Sequence, residues 1–87
     1  MSYRVILRRV AQNQLDNLSR NEYRLVAQAI SALEKEPRPR KVKKLADSGL
    51  WRVRIGHYRI VYTINDREGV VIVVRVARRA EDTYKGL

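Results

Sequence analysis

A tight β-hairpin is predicted at residues 50–62, which read LWRVRIGHYRIVY. Apolar and basic residues alternate on both sides of a central Gly56-His57 pair, and this period of two is typical of strands that bury one face. Glycine as the first of two loop residues favours a type II′ turn, whose twist suits a hairpin. The predicted register therefore pairs Ile55 with Tyr58 and continues outward along both strands.

This register divides the side chains between the two faces of the sheet, because neighbouring residues on a strand point to opposite sides. One face is apolar and is predicted to belong to the core; it carries Trp51, Val53, Ile55, Tyr58, Ile60 and Tyr62. The other face brings Arg52, Arg54 and Arg59 together. Arg54 opposite Arg59 is an unfavourable pair of like charges, which favours a surface that binds an anion. We expect Arg75 to fall opposite Arg59, with Arg79 extending the patch.

The sequence on either side of the hairpin predicts an α+β fold. Its predicted elements are a strand at 3–7, helices at 10–18 and 20–35, and strands at 50–55, 58–64 and 70–77. Ser19 and Glu22 have the spacing of a capping box, and Pro37 ends the second helix, because the residue before a proline avoids helical geometry. We predict one domain, residues 1–87. It has an N-terminal strand, an antiparallel two-helix hairpin packed on a mostly antiparallel four-stranded sheet, and a short C-terminal helical tail.

The chain is strongly basic, with 19 Lys and Arg against 9 Asp and Glu and a net charge of +10 over 87 residues. Residues 37–64 hold eight of the basic groups and one acidic group, so the excess is concentrated in one segment. Such clustering is typical of proteins that bind a polyanion, above all nucleic acid. Cysteine is absent, which excludes disulfides and suits a reducing compartment. Since we find neither a signal peptide nor a membrane-spanning segment, we predict a cytoplasmic protein without a membrane partner.

His57 is the one histidine in the chain and therefore the one side chain whose ordinary pKa lies near neutrality. It could serve as the base of a ribonuclease, but the second position of a tight turn also suits any polar residue, and we favour that structural role. Asp, Glu and His show no spacing typical of metal ligands. We therefore predict neither a metal site nor a cofactor.

The chain resembles the RelE branch of the RelE/ParE toxin superfamily of type II toxin–antitoxin systems. The resemblance extends from Tyr3 to Tyr84 and is most specific in the hairpin at residues 50–62; its other parts are Lys44-Leu45 and Val76-Ala77-Arg78-Arg79. It implies a metal-independent endoribonuclease (an mRNA interferase) that acts on the ribosome. Such an enzyme cuts messenger RNA in the A site by attack of a ribose 2′-hydroxyl on the adjacent phosphodiester, and so inhibits translation and growth.

The same resemblance implies roles for particular residues. Arg59 matches an arginine that contacts the scissile phosphate. Arg79 matches a second arginine near the end of the last strand, although a slip of one residue would put Arg78 there. Tyr84 matches a tyrosine that stacks on a base or helps to transfer a proton.

Arg52 and Arg54 occupy positions that are lysines in some members of the family, and one of those lysines is a proposed general base. Arginine stays protonated and cannot readily act as a base. The general base is therefore left open between Tyr84, a contribution from the ribosome, and catalysis that is mostly orientation and charge stabilisation.

Further basic residues are predicted to contact RNA or the ribosome: Lys41, Lys43, Lys44, Arg75 and Arg78. The lysines precede the hairpin, and a solvated loop is the alternative interpretation of that cluster. The resemblance implies two partners. One is the 30S A site with its mRNA and rRNA. The other is a RelB-like antitoxin that covers the basic domain with an acidic or amphipathic helical segment, forms a hetero-oligomer and binds operator DNA.

Two alternative functions stay open at this point. A ParE-like toxin would inhibit DNA gyrase and cut nothing itself. A non-catalytic module would bind RNA or the ribosome through the same basic face.

Overall fold

The computed structural model describes residues 2–78 and shows two helices packed on one face of a β-sheet. Its elements in chain order are β1 (Arg4–Leu7), α1 (Arg9–Asp16), α2 (Arg20–Ala32), β2 (Lys43–Leu45), β3 (Leu50–Ile55), β4 (Tyr58–Asn65) and β5 (Val70–Arg78). The strands form one sheet in the order β1-β5-β4-β3-β2. β1 is parallel to β5 and the other neighbours are antiparallel, so the predicted α+β class is confirmed. The predicted C-terminal tail lies outside the described residues.

The two helices begin near their predicted positions and are shorter than predicted. Ser19 is the N-cap of α2: the Glu22 amide donates to Ser19 Oγ at 3.4 Å, and the Ser19 hydroxyl donates to the Glu22 carboxylate at 3.0 Å. α2 ends at Ala32 because the next three amides bond to carbonyls three residues back, which tightens the last turn. α1 ends at Asp16, two residues before the predicted end.

The central hairpin has the predicted register, from Ile55 opposite Tyr58 to Trp51 opposite Tyr62. Gly56 has a φ of +58°, a conformation that glycine adopts at little cost and that a type II′ turn requires at its first loop position. The two aromatic residues predicted for the core lie on the helix side of the sheet. Tyr62 is fully buried, and Trp51 is half-buried and packs against the core.

The hydrophobic core fills the space between the helices and this side of the sheet. Its buried members are Ala11, Leu15, Val26, Ile30 and Leu33 from the helical hairpin and Tyr58, Ile60, Tyr62, Val71, Val73 and Val76 from the sheet. Each fully buried aliphatic side chain contributes about 1.5–3 kcal/mol to folding. This packing fixes one face of β4 and β5, and the register of these strands then decides which side chains lie on the opposite face.

Within the described residues the sheet has five strands rather than the predicted four. The additional strand, β2, lies in the basic loop and pairs with the edge of β3, with Lys43 opposite Arg52 and Leu45 opposite Leu50. The turn between them contains Asp47 and Gly49 at φ values of +58° and +72°. A strand of three residues, two of them lysines, shows no alternating pattern, and this is why the sequence did not predict it.

The register between β4 and β5 differs from the prediction. We expected Arg75 opposite Arg59, but Arg75 lies opposite Val61. One cause is the turn, which pairs Asn65 with Val70 and so shifts the ladder by one residue relative to the predicted pairing. The second cause is a β-bulge further along the strand.

The bulge inserts one extra residue, Val74, between two consecutive pairs of the ladder. Val73 lies opposite Tyr62 and Arg75 lies opposite Val61, so nothing on β4 faces Val74. A bulge of this kind changes which side of the sheet the following residues occupy. Consequently Val73 and Val76 are both buried in the core, and Arg75 lies on the face away from the helices.

Candidate nucleic-acid interface

The sheet face opposite the two helices carries a cluster of cations, and we call it the arginine face. Its central cations come from four strands and are Lys43, Arg52, Arg54, Arg59 and Arg75. Arg4 lies on the same face at the far edge, opposite Val70 of β5. None of the five strands described between residues 2 and 78 contains an acidic residue. The positive charge of the arginine face is therefore not offset from within the sheet.

The central cations form two rows across the strands. The longer row, from β2 to β5, contains Lys43, Arg52, Val61 and Arg75. Neighbouring strands lie about 4.8 Å apart, so this row spans roughly 14 Å. The shorter row contains Arg54 directly opposite Arg59, as predicted. Together the two rows offer cationic groups to more than one phosphate of a nucleic-acid strand.

The exposure of these side chains differs within the arginine face. Arg54 is exposed, Arg59 and Arg75 are half-buried, and Arg52 is only 7% exposed. Attraction between a cation and a phosphate is stronger where water is partly excluded, because the effective dielectric constant is lower there. Since the arginines extend from paired strands rather than from a loop, their backbone positions are fixed before a ligand binds.

Two of the predicted RNA-binding residues lie on the helix side of the sheet instead. Lys44 is opposite Trp51, and its Nζ lies 5.7 Å from the centre of the indole ring. Arg78 is opposite Tyr58, and its guanidinium carbon lies 5.9 Å from the centre of that ring. The structure therefore brings neither of them to the arginine face. Lys41 is exposed in the turn before β2.

Arg78 also lies near an acidic residue. Glu22 has a pKa below its usual range because it accepts hydrogen bonds from Ser19 and Tyr58, and the charge of Arg78 lowers it further. Gln14, Glu22, Tyr58 and Arg78 line a cleft between the helical hairpin and the end of β5. The charge of Arg78 is thus partly offset by the carboxylate of Glu22.

The other predicted site residues lie away from the arginine face or outside the described part of the chain. His57 is exposed at the tip of the central hairpin, in the turn position that we predicted for it. Arg79 and Tyr84 lie outside the described residues.

Between residues 2 and 78 no three His, Asp or Glu side chains are grouped so that they could hold a metal ion. None of the described helices has both the length and the apolar character needed to cross a membrane.

A polar cluster that the sequence did not predict joins three distant segments on the helix side. Asp66, in the turn between β4 and β5, accepts two hydrogen bonds from the Arg38 guanidinium at 2.8 and 3.1 Å and one from the Tyr3 hydroxyl at 2.6 Å. These bonds, those from Arg38 above all, lower the pKa of Asp66 to about 2. The guanidinium of Arg38 also lies 4.9 Å from the centre of the Trp51 ring. We call Tyr3, Arg38 and Asp66 the Asp66 cluster.

Comparison with known families places this geometry in context. The model of the "ParE toxin of type II toxin-antitoxin system, parDE" family matches residues 5–83, which is most of the chain. The chain belongs to the RelE/ParE superfamily of type II toxins. The resemblance inferred from the sequence is thereby confirmed.

Solved structures similar to this RelE/ParE toxin support the same assignment. The RelE toxin of an archaeal RelE-RelB complex from Pyrococcus horikoshii OT3 is 32% identical, with a TM-score of 0.82 over 93% of this chain and 99% of that one. The toxin–antitoxin complex RelBE2 of Mycobacterium tuberculosis matches at 32% identity and a TM-score of 0.75, over 91% and 100% of the two chains. The isolated E. coli RelE toxin shares the fold at 19% identity, with a TM-score of 0.79 over 95% and 89%. A comparison with curated protein sequences found no match.

Proposed function

We propose that this toxin is a ribosome-dependent endoribonuclease that cuts messenger RNA in the A site. The observation that supports the proposal best is the arginine face, where five cations from four strands lie together and no residue of the described strands is acidic. A face of this kind suits a phosphodiester, which is anionic in the ground state and gains charge in the transition state. The 32% identity to two RelE-type relatives adds to this support.

The proposed chemistry is attack of a ribose 2′-hydroxyl on the adjacent phosphate. Arg59, in the middle of the face, would contact the scissile phosphate, with Arg52, Arg54 and Arg75 around it. Guanidinium groups that are already positioned stabilise the charge that develops on the phosphoryl oxygens without reorganising during the reaction. None of these arginines can take the proton, because arginine stays protonated.

The proton of the 2′-hydroxyl is therefore taken by a group other than these arginines. Tyr84 takes part in this transfer or stacks on a base, and Arg79 supplies a further phosphate contact. The remaining rate enhancement comes from holding the ribose and phosphate in line on the ribosome.

The proposal includes a RelB-like antitoxin as partner. The two relatives at 32% identity were solved as complexes of toxin with antitoxin, RelE-RelB and RelBE2. An acidic or amphipathic helical segment would complement a toxin with a net charge of +10. We also propose that the pair forms a hetero-oligomer in the cytoplasm and that the antitoxin binds operator DNA.

Inhibition of DNA gyrase is the second candidate, and the match of the ParE family model favours it. Gyrase inhibition needs contacts with a protein and does not need a phosphate on the arginine face. The two functions therefore differ in their dependence on Arg59 and Arg75.

Primer extension on messenger RNA, with purified toxin and with or without ribosomes, tests the proposed function. We expect cuts in the A site only when ribosomes are present. Arg59→Ala should slow cleavage about a hundredfold, which is the usual cost of losing one group that stabilises the transition state. Arg24→Ala, an exposed position on α2 with the same change of charge, is the matched control and should cleave like the unmodified chain.

Other outcomes would redirect the assignment. Absence of cleavage, together with inhibition of gyrase supercoiling that survives Arg59→Ala, would establish the ParE-like function. Cuts on naked RNA would indicate a ribonuclease that does not need the ribosome. RNA binding without cleavage on programmed ribosomes would indicate a non-catalytic module.

A further inference from the structure

The Asp66 cluster holds the connector between α2 and β2 against the sheet. Arg38 lies in the middle of that connector, which comprises residues 33–42, and its guanidinium lies between the Asp66 carboxylate and the Trp51 ring. One residue earlier, the carbonyl oxygen of Pro37 accepts a hydrogen bond from the buried Tyr62 hydroxyl at 2.7 Å. The middle of the connector is therefore fixed to β3, to β4 and to the turn between β4 and β5.

The end of the connector leads directly into the arginine face. The Val42 amide donates to the Pro39 carbonyl at 3.0 Å, which closes a turn, and Lys43 then begins β2 opposite Arg52. β2 has three residues and, among the strands that the structure describes, pairs with β3 alone. So short an edge strand has little stability of its own, and its position depends on what holds the connector.

We propose that Asp66 is a positioning residue of the RNA-binding site: through Arg38 it fixes the connector and β2, and so places Lys43 in the cation row beside Arg52. This inference rests on the proposed function, since it assigns RNA as the ligand of that row. Asp66 itself lies on the helix side with its charge offset by Arg38, so it contributes no negative charge to the arginine face. An acidic residue thereby supports an anion site from the opposite side of the sheet.

Whether loss of the Asp66 carboxylate weakens or strengthens RNA binding distinguishes a positioning role from a purely electrostatic one. Removing any carboxylate makes the toxin more positive, and simple electrostatics would then give tighter binding of RNA. Positioning by Asp66 predicts weaker binding for Asp66→Ala. Glu68→Ala, an exposed position in the same turn with the same change of charge, is the matched control.

The experiment measures the affinity of a short, uncleavable 2′-O-methyl oligoribonucleotide at about 0.1 M salt, by fluorescence anisotropy. One phosphate contact on a single strand carries a salt exponent of about 0.7, so Lys43→Ala should weaken binding about fivefold. Asp66→Ala should weaken it by up to the same factor, and Glu68→Ala should not weaken it. In a Lys43→Ala background, Asp66→Ala should have no further effect, because its contribution acts through Lys43.

Hydrogen exchange gives a readout that does not depend on RNA. Asp66→Ala should speed exchange of the amides of residues 43–45 several-fold and leave the amides of β4 unchanged. The proposal is overturned if Asp66→Ala binds RNA as tightly as Glu68→Ala, or if it weakens binding equally without Lys43. If the unmodified chain does not bind the oligonucleotide, the proposal is overturned as well, whereas the proposed function is decided by cleavage in the A site of ribosomes. If Asp66→Ala leaves the hydrogen-exchange rates of the β2 amides unchanged, Asp66 does not position β2, whatever the result for RNA binding.

Discussion

Individual charges are treated differently on the two sides of the sheet. On the helix side, Asp66 is matched to Arg38 by two hydrogen bonds and to Tyr3 by a third. On the other side, Arg54 and Arg59 face each other across neighbouring strands, an arrangement that costs stability in the isolated chain. Close pairing of opposite charges on one side and a cluster of like charges on the other are expected where one side serves folding and the other serves an anionic ligand.

The pairing of Asp66 should give the toxin a specific dependence on pH. The pKa of Asp66 is lowered from 3.8 to about 2 in the folded chain, so its stabilising effect is complete above about pH 4 and is lost as the pH falls through 2. We expect Asp66→Asn to lower the urea midpoint of unfolding at pH 6, and this difference from the unmodified chain to shrink between about pH 4 and pH 2. Glu68→Gln, an exposed position in the same turn, is the control and should change the urea midpoint at pH 6 little. A difference that is the same at pH 6 and pH 2 would contradict the assignment.

Among the helices and strands, β5 and α2 owe their positions to single residues. The bulge at Val74 divides β5 into two halves. The first half pairs with β1, and the second half carries Arg75. Beyond Val73 no strand of the described residues pairs with this edge of β5, and the Val76 amide donates instead to the Gln14 side chain of α1 at 2.7 Å. α2 covers the core with Val26 and Ile30, and its first turn is closed by the Ser19 cap. The position of α2 relative to the sheet therefore depends on a correct helix start.

The cap makes a prediction about the stability of α2. Ser19→Ala removes the acceptor for the Glu22 amide, which should cost about 1 kcal/mol and lower the melting temperature by about 4–8 °C in a domain of this size. Ser31→Ala, an exposed position on the last turn of the same helix, is the control and should change the melting temperature little. Equal effects of the two substitutions in a thermal melt would show that the cap does not contribute.

For the whole molecule, the distribution of charge matters more than its total. The net charge of +10 is distributed along the whole chain, but the strands described between residues 2 and 78 contain no acidic residue. A polyanion that approaches the arginine face meets its five central cations, whereas one that approaches α1 or α2 meets Asp16 and Glu22. Binding is therefore expected to use the arginine face and to involve a limited number of phosphates.

This expectation can be measured as a salt exponent. If the five central cations each contact one phosphate of a single strand, the logarithm of the RNA association constant should fall with the logarithm of salt concentration with a slope of about −3.5. Arg59→Ala and Arg75→Ala should each reduce the magnitude by about 0.7, and Arg24→Ala should leave it unchanged. A slope that the face variants do not alter would show that RNA binds elsewhere.

The sequence predicted the central hairpin correctly because its turn leaves little freedom. Gly56 fixes a two-residue loop, and every pair from Ile55–Tyr58 outward then follows from the period of two. The same reasoning placed Arg52, Arg54 and Arg59 on one face. The helices were predicted from their apolar spacing and the Ser19 cap, and only their ends differ.

Other features have no local signal in the sequence. Residues 70–74 are all β-branched, so a bulge at Val74 and a regular ladder look alike in this run. The bonds of Asp66 to Tyr3 and Arg38 join residues 63 and 28 positions apart, and short-range patterns cannot reveal them. The split of the lysine cluster between the two faces depends on β2, which forms only because β3 offers an open edge.

The bulge at Val74 also affects how the strand tolerates changes in its length. Because the extra residue lies between two regular pairs, its deletion would let Arg75 follow Val73 directly and keep its place opposite Val61. An insertion or deletion of one residue elsewhere in β5 would instead exchange the sides of the sheet for all residues after it. When a related toxin is aligned with this chain, a gap of one residue at Val74 should therefore leave the sheet unchanged. The residues after such a gap can be compared position by position.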